Sequence, residues 1–192
     1  MGNPIRQYCE ESAVLNKITP LCLLLITVCA SPLVWGANTS PPLTHKLSLI
    51  KGNWTAPELR LENMDGEIID IKDVKGKVVI VNFWATWCPP CRREMSSLEH
   101  LYQATSDKGV EVIAVNIGED PDTVFPFMGN LEAYPSFQIV FDTEALLMDQ
   151  WKVQGLPTTF IVDKEGNIIY KAVGGREFNH PKIRQTILEL TK

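Results

Sequence analysis

The stretch WCPPC, residues 87–91, places two cysteines two residues apart, where a predicted strand gives way to a predicted helix. Residues 78–83 (VVIVNF) are apolar except for Asn82 and are predicted to form a buried strand. From Arg93 to Thr105 the apolar residues recur at helical spacing. The cysteines are therefore expected at the start of a helix, where unpaired N–H groups and the positive end of the helix dipole stabilise a thiolate. This position predicts disulfide-exchange chemistry.

The distribution of the other cysteines supports this prediction. Three of the five cysteines lie in the first 29 residues, at Cys9, Cys22 and Cys29. Only Cys88 and Cys91 remain in the body of the chain, so no structural disulfide framework is possible there. A zinc site needs two more Cys or His ligands at suitable spacing. The three histidines form no such cluster in the sequence: His45, His100 and His180. We therefore predict no metal site and no cofactor.

An uncharged segment, residues 18–37, precedes the body of the chain. Its length fits a membrane-spanning helix or a secretory signal, and Pro20 and Pro32 shorten its most apolar run to about a dozen residues, nearer the length of a signal. Cleavage after Ala30 fits the small residues there. We predict that residues 1–37 are a signal peptide or an N-terminal membrane anchor, with both alternatives open. The rest of the protein is then periplasmic or otherwise extracytoplasmic, and an uncleaved segment 18–37 anchors it to the inner membrane.

The remaining sequence is predicted to contain one domain. Residues 38–51 lie in a stretch rich in Ser, Thr and Pro and are predicted to be a tether, and residues 52–192 have an ordinary length for a domain with its own core. The net charge of the chain is −5, with no basic stripe, which argues against nucleic acid as a partner.

Strand and helix patterns alternate along residues 52–192. A hairpin is predicted at 59–61 and 68–71. Further strands are predicted at 78–83, 110–115, 137–141, 159–162 and 168–173. Helices are predicted at about 91–106, 122–132 and 181–190. This α/β order indicates a central mixed sheet with helices on both faces.

Two longer motifs carry a family resemblance. The sequences NFWATWCPPCRRE, residues 82–94, and GLPTTFIVD, residues 155–163, closely resemble the two signatures of TlpA/ResA-type thioredoxin-like proteins, which are exported thiol-disulfide oxidoreductases. The resemblance covers about residues 52–192. It implies a thioredoxin fold with an added N-terminal hairpin and a central strand–helix insertion, here at 110–132, and it implies the activity of that family.

The two cysteines are expected to have different roles. Cys88 precedes the helix and should be the more exposed thiol, so we predict that it is the nucleophile. Cys91 lies in the first turn and is predicted to resolve the mixed disulfide from below. Trp84 and Trp87 flank the pair, and we expect one of them in the core and the other as a shield over the disulfide.

The second motif is expected to contribute to substrate binding. The resemblance implies that Pro157 is cis and faces the cysteine pair, and that the Leu156 backbone pairs with an extended substrate by strand addition. The predicted substrate-binding residues therefore come from both motifs: Trp87, Pro89, Pro90, Leu156 and Pro157.

A proton acceptor is also expected near the thiols. Asn82 stands where many thioredoxins carry a buried acid, and asparagine cannot accept a proton. Glu94 lies three residues after Cys91 on the same helical face. Because membrane-anchored members of the family carry an acid at this position beside the cysteines, we predict that Glu94 handles the proton. The alternative is an exposed Glu94 paired with a neighbouring arginine.

The loop composition indicates the direction of the reaction. Pro89 and Pro90 have no N–H to donate to the Cys88 sulfur, so its thiolate is not over-stabilised and the pair should be reducing. Arg92 and Arg93 add positive charge that favours the thiolate, or they form a solvated basic face. We predict a reductase of disulfides in exported proteins that is recharged by a membrane thiol electron donor. Cytochrome c maturation and general disulfide reduction both remain open as pathways.

Two other function classes are alternatives for a chain of this kind. A thiol peroxidase would need a threonine separated from its reactive cysteine by two residues, with a proline before that threonine. In this chain only Trp87 separates Thr86 from Cys88, and the proline is absent. A metal-delivery or docking module without turnover can use the same fold, but such copper carriers space their cysteines by three residues and add a histidine. Neither feature is present in this sequence.

Overall fold

The computed structural model of the protein describes residues 41–192. Eight strands are assigned in this part of the chain: β1 (Ser48–Leu49), β2 (Arg60–Glu62), β3 (Ile68–Asp70), β4 (Val78–Trp84), β5 (Val110–Ile117), β6 (Gln138–Asp142), β7 (Thr158–Val162) and β8 (Ile168–Val173). Six of them form one mixed sheet in the order β1-β8-β7-β4-β5-β6. The other two, β2 and β3, pair as a separate antiparallel hairpin.

The described chain also contains four α-helices: α1 (Pro89–Thr105), α2 (Pro121–Met128), α3 (Leu146–Gln150) and α4 (Pro181–Leu190). None of the helices in residues 41–192 is both long enough and apolar enough to cross a membrane. The uncharged segment 18–37 lies outside the described residues.

Strand β4 runs through the middle of the sheet and is buried along its whole length. It pairs in parallel with β5 and antiparallel with β7. Because successive side chains point to opposite faces of the sheet, its apolar residues contribute to two cores. Ile80 packs on the side of α1 and α4 with Met95 and Ile187. Phe83 packs on the other side with Trp151. Burial on both faces explains why β4 is apolar in the sequence at every position except Asn82.

The predicted thioredoxin-like architecture is confirmed. The hairpin, the central strands and the last helix lie at the predicted places, and α1 begins two residues earlier than predicted. The segment 110–132, predicted as an insertion, supplies β5, which lies inside the sheet beside β4, and α2. Helix α2 stops at Met128 and not at residue 132. Asn130 accounts for this earlier end, because its side chain donates to the Pro126 carbonyl (2.7 Å) and satisfies a terminal acceptor of the helix.

Two elements were missed by the sequence patterns. Helix α3 has only five residues, too few to show a helical period. Strand β1 lies within residues 38–51, which were predicted to be a tether. It pairs antiparallel with β8, with Ser48 opposite Lys171 and Leu49 opposite Tyr170. Both strand residues of β1 are exposed, so no alternation of apolar residues marks it. The folded part of the chain therefore begins before the predicted boundary at residue 52.

Candidate active site

The dithiol motif, residues 87–91, forms the start of α1. Cys88 has an extended backbone and caps the helix, and its sulfur accepts a hydrogen bond from the Cys91 N–H at 3.4 Å. Pro89 and Pro90 occupy the first two helical positions, where a missing N–H leaves no intrahelical bond unmade. The sequence Cys-Pro-Pro-Cys therefore suits the helix start, and it places both sulfurs at the positive end of the helix dipole.

Cys88 and Cys91 form a disulfide with an S–S distance of 2.07 Å. Cys88 is 4% exposed and Cys91 is completely buried, so Cys88 is the cysteine nearer to solvent. Of the two flanking tryptophans, Trp84 lies in the core and Trp87 is 66% exposed beside the disulfide. The structure thus represents the oxidised form of the protein.

The Leu156–Pro157 peptide bond is cis, as the family resemblance implies. Strand β7 begins directly after it, and Thr158 of β7 pairs with Phe83 near the end of β4. Since β4 leads directly into the dithiol motif, this pairing places the cis-proline loop and the two cysteines at the same edge of the sheet. The two sequence motifs, which are far apart in the chain, therefore meet in the fold.

Glu94 lies on α1 and is completely buried. Its carboxylate accepts two hydrogen bonds at 2.8 Å, one from the Asn82 side chain and one from the Arg176 backbone N–H. Burial raises the pKa of Glu94 to about 8, although the two hydrogen bonds and the charge of Arg176 act in the opposite direction. The alternative of an exposed Glu94 is wrong. A buried carboxyl with this pKa can exchange a proton with a thiol, whose ordinary pKa is about 8.5.

Asn82 holds Glu94 from the sheet side. Its Nδ2 donates both to Glu94 and to the Thr159 hydroxyl, the latter at 2.9 Å. Its Oδ1 is buried without a partner in the described part of the chain. Asn82 therefore acts here only as a donor, and the carboxyl of Glu94 is the ionisable group at this place.

Arg176 was not singled out by the sequence, yet it holds the other oxygen of Glu94. Its guanidinium is itself held by backbone carbonyls, those of Lys46, Val173, Gly174 and Gly175. Ser97 fixes the same loop to α1, because its hydroxyl accepts from the Phe178 N–H at 3.0 Å and lies 3.3 Å from the Arg176 carbonyl. The contacts of Glu94 and Ser97 with this loop join residues about 80 positions apart, so local sequence patterns give no signal for them.

Replacing Ser97 with alanine is expected to lower the free energy of unfolding by about 1–3 kcal/mol, because the buried Phe178 N–H loses its acceptor. Urea denaturation followed by circular dichroism measures the change. Ser96→Ala is the control, since that hydroxyl accepts only a 3.3 Å bond from Ala133. Equal effects of the two substitutions would show that the Ser97 contact does not stabilise the loop.

A second carboxylate fixes the loop before Cys88. Glu119 follows β5 and accepts hydrogen bonds from the Thr86 backbone N–H (2.8 Å) and the Thr86 hydroxyl. The Asn116 side chain also donates to it at 2.8 Å. Glu119 was not predicted. Its position just beyond the carboxyl end of a buried parallel strand, next to the end of β4, is the signal that could have identified it.

The two arginines after the dithiol motif point to different neighbours. The guanidinium of Arg92 lies 5.5 Å from the centre of the Phe127 ring, a cation–π contact. Arg93 donates to the Pro41 carbonyl at 2.8 Å. The side chains of Arg92 and Arg93 therefore both contact other residues of the same chain.

Comparison with known proteins identifies the family. The sequence profile of the Redoxin family matches residues 51–187. Thiol-disulfide oxidoreductase ResA of Bacillus subtilis (strain 168) is 35% identical over 152 residues, which cover 79% of this chain and 82% of that protein. The chain belongs to the Redoxin family. It is a thioredoxin-like thiol-disulfide oxidoreductase of the ResA type.

A second relative and a solved structure are similar to this Redoxin-family protein in the same way. Thiol-disulfide oxidoreductase ResA of Halalkalibacterium halodurans is 39% identical over 128 residues, which cover 67% of this chain and 72% of that protein. Among solved structures, a thiol:disulfide interchange protein of the thioredoxin family from Chlorobium tepidum TLS is 27% identical, with a TM-score of 0.61. The match covers 72% of this chain and 99% of that one.

Proposed function

We propose that this Redoxin-family protein reduces disulfides in exported polypeptides, with Cys88 as the nucleophile and Cys91 as the resolving thiol. The observation that carries the proposal is the disulfide at the start of α1, with Cys91 buried beneath Cys88 and Glu94 buried one turn further along the helix. Such an arrangement supplies an attacking sulfur, a second sulfur that completes the exchange and a group that takes up the proton.

The reaction proceeds in two exchange steps. The Cys88 thiolate attacks one sulfur of the substrate disulfide, and the other substrate sulfur leaves as a thiolate that takes a proton from water. Cys91 then attacks the Cys88 sulfur and passes its own proton to the Glu94 carboxylate. The bond between Cys88 and the substrate breaks, and the second substrate sulfur leaves. Two electrons have moved to the substrate, and the protein ends as the disulfide with a protonated Glu94.

The surroundings of Cys88 support the reducing direction. Its sulfur receives a backbone hydrogen bond from Cys91, while Pro89 and Pro90 have no N–H to contribute. A thiolate with few donors is weakly stabilised, so the reduced form gives up its electrons readily.

The reduction potential tests this direction. We expect a value more negative than about −200 mV, nearer to thioredoxin than to the oxidising members of the fold. Equilibration of the full chain in glutathione and dithiothreitol buffers gives the value, with Trp84 and Trp87 fluorescence as the signal. A potential near −120 mV would make the protein an oxidant and would contradict the proposal.

Substrate polypeptides are proposed to bind across the edge of the sheet where the two motifs meet. Trp87, Pro89 and Pro90 form one side of this surface, and Leu156 and Pro157 form the other. The Leu156 backbone is available for strand addition to an extended substrate, a mode that recognises backbone more than side chains. Such binding suits an enzyme with several disulfide-bearing partners.

We further propose that the domain acts outside the cytoplasm, that residues 1–37 are a signal or anchor, and that a membrane thiol donor recharges the dithiol. The uncharged segment 18–37 supports export. The resemblance of the two motifs to TlpA/ResA-type proteins supports cytochrome c maturation as one pathway, and general disulfide reduction is the other.

A topology reporter tests the export proposal. A reporter that is active only outside the cytoplasm, fused after His45, is expected to be active because residues 18–37 direct the chain across the membrane. The same fusion with two arginines inserted into the uncharged segment is the matched control and should be silent. A silent unmodified fusion, with the protein in the cytosolic fraction, would contradict export.

A further inference from the structure

The segment of residues 41–46, here called the strap, lies beside the start of α1. The Thr44 N–H donates to the Gly175 carbonyl at 3.2 Å, and the Thr44 carbonyl accepts from the Glu177 N–H at 2.8 Å. At its beginning, the Pro41 carbonyl accepts from Arg93 on α1. The strap is therefore added like an extra strand to the loop between β8 and α4.

Side-chain contacts hold the strap in place in addition to its backbone hydrogen bonds. The His45 ring stacks on His180 with centroids 4.1 Å apart. Leu43 lies so close to Gly175 that a Cβ on this glycine would stand 2.5 Å from Leu43 Cδ2, and it would also stand 3.2 Å from the Pro90 carbonyl. The strap, the β8–α4 loop and the dithiol motif thus meet at Gly175, where a side chain would clash with Leu43.

A groove of about 460 Å³ remains between these three parts of the chain. One wall is strap residues 41–44, the second is Pro89 and Pro90, and the floor is Val173 with Gly174. Val173 is 60% exposed although it is apolar. The Gly174 N–H donates to the Pro157 carbonyl at 2.8 Å, so the floor continues into the cis-proline loop.

We propose that the strap is one wall of a subsite that receives a bulky apolar side chain next to the disulfide of a polypeptide substrate. This inference rests on the proposed function and specifies its substrate class. Six of the eleven lining residues are proline, leucine or valine, and the two arginines of the lining, Arg93 and Arg176, donate to backbone carbonyls. Leu43 shows that an aliphatic side chain packs against this loop. Because Pro89 and Pro90 also lie between the two cysteines, a residue close to the substrate cysteine can reach the groove.

Short peptides that carry a cysteine in mixed disulfide with thionitrobenzoate test the subsite. Two probes differ only in the residues flanking the cysteine, which are leucine in one and glycine in the other. Reduced full-length protein is expected to prefer the leucine probe by about ten-fold or more in kcat/KM, the range in which hydrophobic pockets discriminate. Release of thionitrobenzoate follows the reaction.

Pro42→Asp places a charge on a wall of the groove, and Val173→Asp places one on its floor. Each is expected to reduce the preference for leucine to less than about three-fold, with most of the loss on the leucine probe. Leu146→Asp is the matched control, because Leu146 is 61% exposed on α3, and its neighbour Leu147 packs in the core on the sheet face away from α1. It should leave the preference unchanged.

The outcomes are distinguishable. A wild-type protein that reduces both probes equally, or wall variants that keep the full preference, would overturn the subsite and leave the reductase proposal standing. A wild-type protein that reduces neither probe would overturn the proposed function, and the subsite with it. A proportional loss on both probes in these two variants would also overturn the subsite, because it would show that Pro42 and Val173 serve folding and not substrate choice.

Discussion

Replacing Cys88 with serine is expected to lower the rate of polypeptide disulfide reduction by a factor of about 10³ or more, to the level without enzyme. Serine has no sulfur with which to form the mixed disulfide, and Cys91 is completely buried and cannot take over the attack. Insulin reduction with dithiothreitol as the electron source, followed by turbidity, measures the loss.

Cys91→Ser is the matched comparison, because it keeps the Cys88 sulfur, which is the one nearer to solvent. This variant should keep one reactive thiol and accumulate mixed disulfides, since nothing resolves them. Alkylation rates near neutral pH separate the two single variants. Equal rates would contradict the assignment of Cys88 as the nucleophile.

Glu94→Gln is expected to slow the resolving step by about 10²-fold or more, the usual contribution of a general base. Glutamine keeps the shape of the side chain and loses the group that accepts the Cys91 proton. A stopped-flow single-turnover experiment with a fluorescent disulfide substrate resolves attack from resolution. The apparent pKa values of the coupled thiols should also fall, because the ionised Glu94 disfavours thiolates near it.

The raised pKa of Glu94 also affects stability. The folded protein binds this proton up to a pKa of about 8, whereas an ordinary glutamate releases it near 4.5. The folded state therefore holds more protons between these values, and the contribution of Glu94 to stability falls as the pH rises from about 4.5 to about 8. Urea denaturation across this range should show the decline in the oxidised wild type and a flatter profile in Glu94→Gln.

Glu99→Gln is the control for the resolving rate and for the pH profile of the thiols. Glu99 is also on α1 and is 4% exposed, but its carboxylate is bonded to Ser136 and Gln103, away from the dithiol. Its substitution should leave the thiol pH profile and the resolving rate unchanged. Superimposable kinetic and alkylation curves for wild type and Glu94→Gln would remove Glu94 from the mechanism.

The parts of the fold that the sequence predicted are those with a strong local pattern. Strand β4 is apolar except at Asn82, and the helix after it has apolar residues at regular spacing, so their junction placed the cysteine pair at a helix start. The second motif, around Pro157, added the substrate loop by family resemblance. The contact between the two motifs depends on the β4–β7 pairing, which neither motif contains.

Other features of the site depend on tertiary contacts. The Arg176 N–H that holds Glu94 and the Ser97 hydroxyl that holds the same loop come together only when α1 packs beside the β8–α4 loop. The strap begins with two adjacent prolines, Pro41 and Pro42, and the strand β1 that follows it has only two residues, both exposed. This composition is typical of a linker. Burial of Glu94 could not be read from helical spacing, because a glutamate in the first turns of a helix is more often exposed.

The most direct test of the central claim is to react reduced Cys91→Ser protein with a disulfide-bearing polypeptide and to locate the resulting adduct by peptide mass spectrometry. We expect a mixed disulfide between Cys88 and a substrate cysteine, which dithiothreitol releases. An adduct on a different cysteine of the chain, or no adduct while the wild type still reduces the same substrate, would contradict it.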